Sequence, residues 1–328
     1  MRELQLVSYI KQNSTVLNDD VIKSIGDDCA VIKHNADKDM LITSDALCEN
    51  NHFNKKYFSP EEIGAKSVAV NVSDICAMGG IPRHCLVSIG FNKKEKQEFI
   101  NRIFQGLISY AKNYKIDLIG GDTVGSNLLF ISVTLIGFVK KKQVLYRSGA
   151  KPGDVIYVTG TLGDSGAGLD VLSRKGKKNL KSFECSPVKR HLTPVPRYRE
   201  SRILSESKMV NSCIDVSDGL INDVMNVTNA SNCGAEIYVD MIPVSFSTAN
   251  IAKEYGKNPV DYALYGGEDY ELLFTVSRHD NEKFLRYIKK AGLNVFEIGK
   301  IMKSKKVILN KNGKMTAPKL NKIWDHFQ

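Results

Sequence analysis

The chain has 328 residues, of which 42% are hydrophobic and 25% are charged, so it has the composition of an ordinary globular protein and the length of two domains. No apolar run approaches the roughly 20 residues that span a bilayer, and residues 1–12 lack the apolar segment of a signal peptide. We therefore expect a cytoplasmic protein with no membrane partner. The seven cysteines show no Cys-x-x-Cys spacing, which argues against a disulfide framework and a zinc site.

The net charge of +10 comes largely from lysine clusters near residues 93–96, 140–142, 175–181 and 303–306. These clusters lie between apolar runs and contain almost no aromatic residues. We therefore interpret them as solvated loops and helix faces rather than as a nucleic-acid surface, and expect no nucleic-acid partner. Attraction of an anionic substrate is a milder use of the same charge.

Apolar periodicity and turn residues predict alternating helices and strands in the first half of the chain. The predicted elements are helix 3–11, strands 29–33 and 40–43, a helix that starts at Ser59-Pro60, strand 84–91, helix 95–112, and strands 116–119 and 128–139. A lysine run at 140–142 and the Ser-Gly-Ala-Lys-Pro-Gly stretch at 148–153 indicate a domain boundary. This gives predicted domains 1–140 and 147–328.

The second half repeats the mixture of strands and helices. Its predicted elements are strand 154–159, helix 165–173, a charged loop 175–181, helix 196–207, strand 212–214, helix 220–230, strand 236–239, helix 250–255, strand 271–276, helix 281–291 and strand 295–298. The predicted fold class is therefore α/β, with an α+β N-terminal domain built on a mixed sheet and an α/β C-terminal domain.

The helix that follows Ser59-Pro60 carries an acid on a mostly apolar surface. Ala65, Val68 and Val72 recur at helical spacing on one face, while Asn71 and Asp74 point together from another. Gly79-Gly80 is expected to end the helix. An acid buried here requires a cationic partner, although a half-exposed aspartate is the simpler reading of this helix alone.

Other aspartates recur beside apolar runs. Asp45, Asp122 and Asp215 each follow a predicted strand, Asp27 and Asp28 precede one, and Asp218 begins a helix. Carboxylates that share a crevice repel one another unless divalent cations lie between them, and an oxygen-only donor set suits Mg²⁺. Any one of these aspartates is adequately explained as a strand end or helix start, but the set together favours a metal site.

Glycines lie beside these acids, where backbone N–H groups can approach phosphate. The chain nevertheless lacks Gly-x-x-x-x-Gly-Lys-Ser/Thr, and Gly160–Gly168 has neither the dinucleotide-binding spacing nor that of a nucleophile elbow. Residues 215–219 also fail the spacing of a calcium loop. These negatives leave a nucleotide site of another kind.

The ordered motifs of the chain resemble those of the thiamine-monophosphate kinase family, a branch of the aminoimidazole ribonucleotide synthetase-like superfamily. The resemblance runs from about residue 25 to Trp324 and rests on Ile25-Gly-Asp-Asp28, Thr43-Ser-Asp45, Asn51-His-Phe53, Asn71-Val-Ser-Asp74, Gly120-Gly-Asp-Thr123, Arg147–Asp154, Asp215-Val-Ser-Asp-Gly-Leu220 and Gly266-Gly-Glu-Asp-Tyr270.

This resemblance implies a homodimer whose N-terminal sheets pair into a barrel, and transfer of the ATP γ-phosphoryl group to thiamine monophosphate with several Mg²⁺ ions. The family pattern gives the metal ligands as Asp28, Ser44, Asp45, Ala46, Asp74, Asp122, Asp215 and Asp218, and the catalytic set as Asp28, Asp45, Asp74, Asp122 and Asp215. It assigns ATP contacts to Phe104, Gly121, Asp122, Arg147 and Ser217, and thiamine contacts to His52, Glu268 and Trp324.

Several of these assignments have simpler alternatives. Ala46 stands where relatives often carry Thr or Val, so only its backbone carbonyl can bind metal. His52 and Arg147 read as solvent-facing without their motifs, and Phe104 and Trp324 as packing residues. Glu268 can be read as merely starting a strand. At the level of function, a related enzyme with another acceptor and a non-catalytic nucleotide- or nucleic-acid-binding protein remain the alternatives.

Overall fold

A computed structural model describes residues 3–323, and among these no helix is both long and apolar enough to cross a membrane. The N-terminal half contains three helices and six strands. In chain order they are α1 (Glu3–Asn13), β1 (Val21–Lys23), β2 (Ala30–Lys33), β3 (Lys38–Cys48), α2 (Pro60–Ala77), β4 (Ile81–Phe91), α3 (Gln97–Asn113), β5 (Asp117–Gly125) and β6 (Phe130–Lys140).

The six strands form one mixed sheet in the order β1-β2-β3-β6-β4-β5. All neighbouring strands are antiparallel except β4 and β5, which are parallel. Helix α2 covers one face of this sheet and contacts β3, β6 and β4. Its start is fixed by a capping box, in which the Ser59 hydroxyl accepts from the Glu62 N–H and the Glu62 carboxylate accepts from the Ser59 N–H.

Helices α2 and α3 pack unusually close because each presents a glycine at the contact. A Cβ at Gly64 would lie 2.0 Å from the Ile103 carbonyl oxygen, and one at Gly106 would lie 2.1 Å from the Glu61 carbonyl oxygen. Neither position has room for a side chain, so this contact fixes α2 against the outer layer of the domain.

The C-terminal half contains seven helices and seven strands. They are β7 (Val155–Thr159), α4 (Asp164–Lys175), α5 (Ser182–Leu192), α6 (Tyr198–Ser207), β8 (Val210–Asp215), α7 (Leu220–Ala230), β9 (Gly234–Tyr238), α8 (Phe246–Glu254), α9 (Pro259–Tyr265), β10 (Leu272–Val276), α10 (Asn281–Lys290), β11 (Val295–Met302), β12 (Val307–Lys311) and β13 (Lys314–Thr316). Short 3₁₀ turns lie at Val239–Met241 and Leu320–Lys322.

The second sheet has the order β13-β12-β9-β11-β7-β10-β8 and is also mixed, since β12 and β9 are parallel. Strands β7 and β10 are buried along their whole length, as expected for central strands covered on both faces. Separate apolar clusters fill the two faces of this sheet. The predicted fold class, α/β with a mixed sheet in the N-terminal half, is confirmed, and the structure shows that the C-terminal sheet is mixed as well.

The two halves share a hydrophobic core. Apolar residues of α2 and the first sheet form one cluster with residues of α4, α5 and α8. Polar contacts also cross the boundary: the Ser201 hydroxyl donates to the Cys76 carbonyl, and the Tyr110 hydroxyl donates to the Pro194 carbonyl. These contacts place α2 between the two sheets.

Two predicted strand ends are wrong. Strand β3 does not stop at residue 43 but continues to Cys48, because it pairs with β6 over its full length. Strand β5 likewise continues past residue 119 to Gly125 because it pairs with β4. Asp45 and Asp122 therefore lie within strands, whereas Asp215 does end its strand.

Some elements lack a recognisable pattern and were missed. Helix α5 contains Pro187 and a polar, basic sequence, and it begins directly after the predicted charged loop. Helix α9 is only seven residues long, and β1 and β13 are three residues each. Strand β12 was missed as well. Short elements such as these are set by the neighbours they pair with or pack on, and local propensity is too weak to predict them.

Candidate active site

Three aspartates from three parts of the chain converge between the two halves. Asp28 precedes β2, Asp74 lies in the last turns of α2, and Asp215 ends β8. One carboxylate oxygen from each lies within 4.8 Å of the others. Asp28 and Asp215 are buried, and Asp74 is half-buried. We call these three residues the acid cluster.

Hydroxyl groups hold two of the carboxylates in place. The Thr43 hydroxyl of β3 donates to Asp74 Oδ2 at 2.5 Å, and the Ser73 hydroxyl of α2 donates to Asp215 Oδ2 at 2.5 Å. The second bond crosses from the N-terminal half to the C-terminal half. Folding of one half against the other is therefore what assembles the acid cluster.

Arg147 is the cation that contacts the acid cluster. Its Nε and Nη2 both donate to Asp28 Oδ1, at 3.1 and 2.6 Å. Its backbone N–H donates to Asp27 Oδ1 at 3.0 Å, which ties the segment after β6 to the loop before β2. One arginine leaves three neighbouring carboxylates only partly compensated.

The pKa values of the acid cluster show this shortage of positive charge. Burial, opposed by Arg147, raises the pKa of Asp28 to about 6. Burial and the charge of Asp28 raise the pKa of Asp215 to about 8. Burial and the charges of Asp45 and Asp215 raise the pKa of Asp74 well above its ordinary value. Each carboxylate is thus costly to ionise until a cation joins it.

The donor set fits a hard divalent cation. Asp28 Oδ2 is buried and has no hydrogen-bond partner in the described part of the chain, so a lone pair remains available at the centre of the acid cluster. The surrounding donors are carboxylate and hydroxyl oxygens, which are the ligands that Mg²⁺ prefers. The cluster lacks the nitrogen and sulfur ligands of a zinc site.

Asp45 lies beside the acid cluster on the face of β3 that α2 covers. Its backbone N–H donates to Asn71 Oδ1 at 3.1 Å, and its charge raises the pKa values of all three cluster residues. Ser44 and Ala46 alternate onto the other face of the strand. The Ser44 hydroxyl pairs with the Thr134 hydroxyl at 3.0 Å, so this side chain lies on the face of the sheet away from α2.

Asp122 and Gly121 lie apart from the acid cluster. Asp45 is in register with Val133 of β6, Val133 with Val87 of β4, and Val87 with Gly121 of β5. Three strand spacings amount to about 14 Å. Asp122 is exposed on this edge strand, and a Cβ at Gly121 would lie 1.9 Å from the Val87 carbonyl oxygen, so only glycine fits there.

The other predicted nucleotide contacts are divided. Ser217 and Asp218 lie two and three residues after Asp215, and the Asp218 carboxylate accepts from the Asn222 amide at 3.1 Å. The chain therefore keeps both residues near the acid cluster. Phe104 is half-buried on α3 and packs against the N-terminal core. Core packing, which was the alternative interpretation of Phe104 from the sequence, matches the contacts of this side chain.

Two of the predicted thiamine-side residues, Glu268 and His52, contact the same buried lysine, Lys66, and we call this group the second site. Glu268 accepts from Lys66 Nζ at 2.7 Å, and Lys66 Nζ also donates to the His52 carbonyl at 3.0 Å. His52 Nδ1 accepts from the Cys48 N–H at 3.0 Å, which orients its ring. Trp324 lies outside the described residues.

Four residues that shape these two sites were not predicted. Thr43 and Ser73 position carboxylates, and Lys66 and His191 contact Glu268. Asp27, one of the recurring aspartates of the sequence, binds the backbone of Arg147. In the sequence, Ser73 adjoins a predicted ligand, which was a usable signal. Lys66 and His191 lie outside the quoted motifs and give no such signal. A lysine in a helix is ordinarily solvated.

Both halves of the chain match descriptions of known protein families. The family descriptions "AIR synthase related protein, N-terminal domain" and "AIR synthase related protein, C-terminal domain" match residues 26–139 and 151–312. The thiamine-monophosphate kinase of Aquifex aeolicus is 36% identical over 305 residues, covering 93% of each chain. That of Bacillus subtilis is 35% identical over 331 residues and covers all of both chains.

A solved structure of AaThiL complexed with AMPPCP and TMP is similar over nearly the whole chain. Its TM-score is 0.86 at 35% sequence identity, with 99% of this chain and 97% of that chain covered. The similarity spans both sheets and the boundary between them, where the acid cluster lies.

Proposed function

This chain belongs to the thiamine-monophosphate kinase family, and we propose that it transfers the γ-phosphoryl group of ATP directly to the phosphate of thiamine monophosphate. The observation that carries the proposal is the acid cluster, in which three carboxylates share one crevice and Arg147 is the one cation paired with them among residues 3–323. An arrangement of this kind suits a reaction between two anionic substrates that arrive with divalent cations.

The cations are proposed to be several Mg²⁺ ions. Asp28, Asp74 and Asp215 are the residues that would hold them, with Asp45 beside the cluster and Asp218 at its C-terminal side. The carbonyls of Ser44 and Ala46 remain proposed ligands. Bound Mg²⁺ would neutralise phosphate oxygens and align the two substrates.

The residues of this chain supply the rest by position. The acceptor is already a phosphate oxyanion, so no side chain has to remove a proton from it. Arg147, whose side chain is 26% exposed, is placed at the cluster to bind a phosphate of ATP. Catalysis then consists of holding the attacking oxygen in line with the leaving group and balancing charge.

We propose a homodimer in which β5 contributes to the partner's site. This edge strand is exposed at every residue from Asp117 to Gly125, and an edge of this kind is a template for pairing with another chain. Leu118, Ile119 and Val124 are among its exposed apolar side chains. Association through this edge would bring Gly121 and Asp122 of one copy towards the acid cluster of the other.

A cytoplasmic location accords with the proposed reaction. ATP is available there, and all seven cysteines are free, as is usual in a reducing compartment.

The central test is the reaction itself. Incubation with ATP, Mg²⁺ and thiamine monophosphate is expected to produce equal amounts of ADP and thiamine diphosphate, followed by chromatography. A panel that replaces thiamine monophosphate with thiamine, aminoimidazole ribonucleotide precursors or selenide checks the acceptor. ADP release with another acceptor, and none with thiamine monophosphate, rules the proposal out.

Mixing of two inactive variants tests the dimer proposal. Asp74→Asn damages the acid cluster, and Asp122→Asn damages the edge strand. If Asp122 serves the partner's site, a mixed dimer contains one intact site, and activity should return to a measurable fraction of wild type. The absence of any recovery after subunit exchange, confirmed by light scattering, would place Asp122 outside the partner's site.

A further inference from the structure

At the second site, which Glu268 and its neighbours form, several of the contacts are made by one buried lysine. Lys66 lies on α2 and its side chain is completely buried. Its ammonium group contacts Glu268 Oε1 at 2.7 Å and the His52 carbonyl at 3.0 Å, and lies 5.2 Å from the centre of the Phe58 ring. A buried lysine with both a carboxylate and a carbonyl partner is fixed in place rather than mobile.

The other oxygen of Glu268 is also held. His191 of α5 places Nδ1 3.2 Å from Glu268 Oε2 and 3.1 Å from the Ser165 hydroxyl. Burial, together with the charge of Lys66, lowers the pKa of His191 to about 3, so this imidazole is neutral. Of the two described residues that contact the Glu268 carboxylate, Lys66 is therefore the one that carries a positive charge.

The backbone around Glu268 is strained and tied down. Glu268 and Tyr270 have φ angles of +63° and +52°, which non-glycine residues adopt rarely and at a cost. The Glu268 N–H donates to the Ser217 carbonyl at 2.7 Å, and the Tyr270 N–H donates to the Val216 carbonyl at 2.9 Å. The loop is therefore joined to the segment that directly follows Asp215.

Helix α2 connects this site with the acid cluster. Lys66 and Ser73 are seven residues apart, which places them on the same face at a separation of about 10 Å along the axis. Ser73 binds Asp215 and Lys66 binds Glu268, so one rigid helix contacts the C-terminal half at two points. The spacing of these points fixes the distance between the acid cluster and Glu268.

We propose that Lys66 is a positioning residue, which holds Glu268 and the His52 loop in the geometry that receives the thiamine half of the acceptor. This inference rests on the proposed function, because it concerns the acceptor's cationic end. Lys66 itself has no exposed atom with which to touch substrate. We expect Lys66 to affect the affinity for the acceptor, whereas the affinity for ATP depends on the acid cluster and Arg147.

The test compares Lys66→Met, Lys66→Arg and a matched control, Lys55→Met. Lys55 also pairs with carboxylates, Glu49 and Glu95, and lies near an aromatic ring, but it does not contact Glu268. Lys66→Met is expected to raise the KM for thiamine monophosphate by about 10- to 100-fold and to change the KM for ATP by less than about threefold. Lys66→Arg should recover part of the acceptor affinity, and Lys55→Met should leave both KM values near wild type.

Stability has to be separated from positioning. The double variant Lys66→Met/Glu268→Gln removes both charges, so its melting temperature should exceed that of Lys66→Met alone, while its KM for thiamine monophosphate stays high. Equal changes in both KM values, or an unchanged KM for thiamine monophosphate in a folded Lys66→Met protein, overturn the inference alone. A wild-type protein that makes no thiamine diphosphate overturns the proposed function and this inference with it.

Discussion

The acid cluster and the single carboxylate of Glu268 both lie beside helix α2 and differ in what neutralises them. In the acid cluster, Asp28, Asp74 and Asp215 have raised pKa values because burial and mutual repulsion exceed the effect of Arg147. At the second site, burial again opposes the charge of Glu268, but the Lys66 ammonium group holds the pKa of Glu268 below its ordinary value. Carboxylates are therefore short of positive charge at one end of the helix and are supplied with it at the other.

This difference distinguishes a site that awaits a cation from a site that is already complete. When a divalent ion binds a cluster of carboxylates that has an unpartnered buried oxygen, the folded protein is stabilised. A carboxylate paired with a buried lysine gains nothing from a metal ion, and its role is to hold a fixed shape and charge. The contrast supports our proposal of metal and phosphate chemistry at one end of α2 and recognition of the acceptor at the other.

The largest expected effect comes from the acid cluster. Asp74→Asn keeps the size of the side chain but removes a charge that the proposed Mg²⁺ ions require. We expect turnover to fall by about 1000-fold or more, in the range seen when a main electrostatic group is lost. Steady-state ADP release at saturating Mg²⁺ measures this. Asp261→Asn, which breaks an exposed pair with Lys322, is the control and should stay near wild type.

A second experiment compares the signs of two stability changes. Glu268→Gln leaves Lys66 buried without its carboxylate, and we expect the free energy of unfolding to drop by on the order of 3 kcal/mol. Asp215→Asn relieves repulsion, so at pH 8 without Mg²⁺ it should raise the free energy of unfolding, by about 1 kcal/mol. Urea unfolding measures the free energy of unfolding of both variants. If both substitutions change it in the same direction, the distinction between the two sites is wrong.

The pH dependence of the metal-free protein tests the raised pKa values of the acid cluster directly. The folded-state pKa values of Asp28 and Asp215, about 6 and about 8, exceed the unfolded value, so the native state binds more protons between about pH 4 and pH 8. Stability should therefore fall as pH rises through this range. Glu268 has a lowered pKa, so its contribution is present above its unfolded pKa and is lost as pH falls through its folded pKa.

Magnesium sharpens this pH experiment. Because Mg²⁺ binds the ionised carboxylates, the increase in melting temperature that it causes should be larger at pH 8 than at pH 5.5. Asp215→Asn should reduce both the fall in stability with pH and the effect of Mg²⁺. A metal-free wild type whose melting temperature rises steadily from pH 5.5 to pH 8 contradicts the raised pKa values.

The sequence by itself determined the alternation of helices and strands, the start of α2 at Ser59-Pro60 and the shared direction of Asn71 and Asp74. These features depend on local chemistry, namely capping, helical spacing and glycine, and such chemistry is visible within a few residues. The ordered aspartate motifs likewise indicated the family from the sequence, because a motif keeps its spacing in the chain whatever the fold around it does.

Only the tertiary structure decided which of these aspartates meet. Asp45 and Asp122 look alike in sequence, yet strand order places one beside the acid cluster and the other on an exposed edge. Lys66 looks like a solvated helix residue, yet packing of the two halves buries it against Glu268. Burial and long-range pairing arise from contacts between residues far apart in the chain, so no local pattern encodes them.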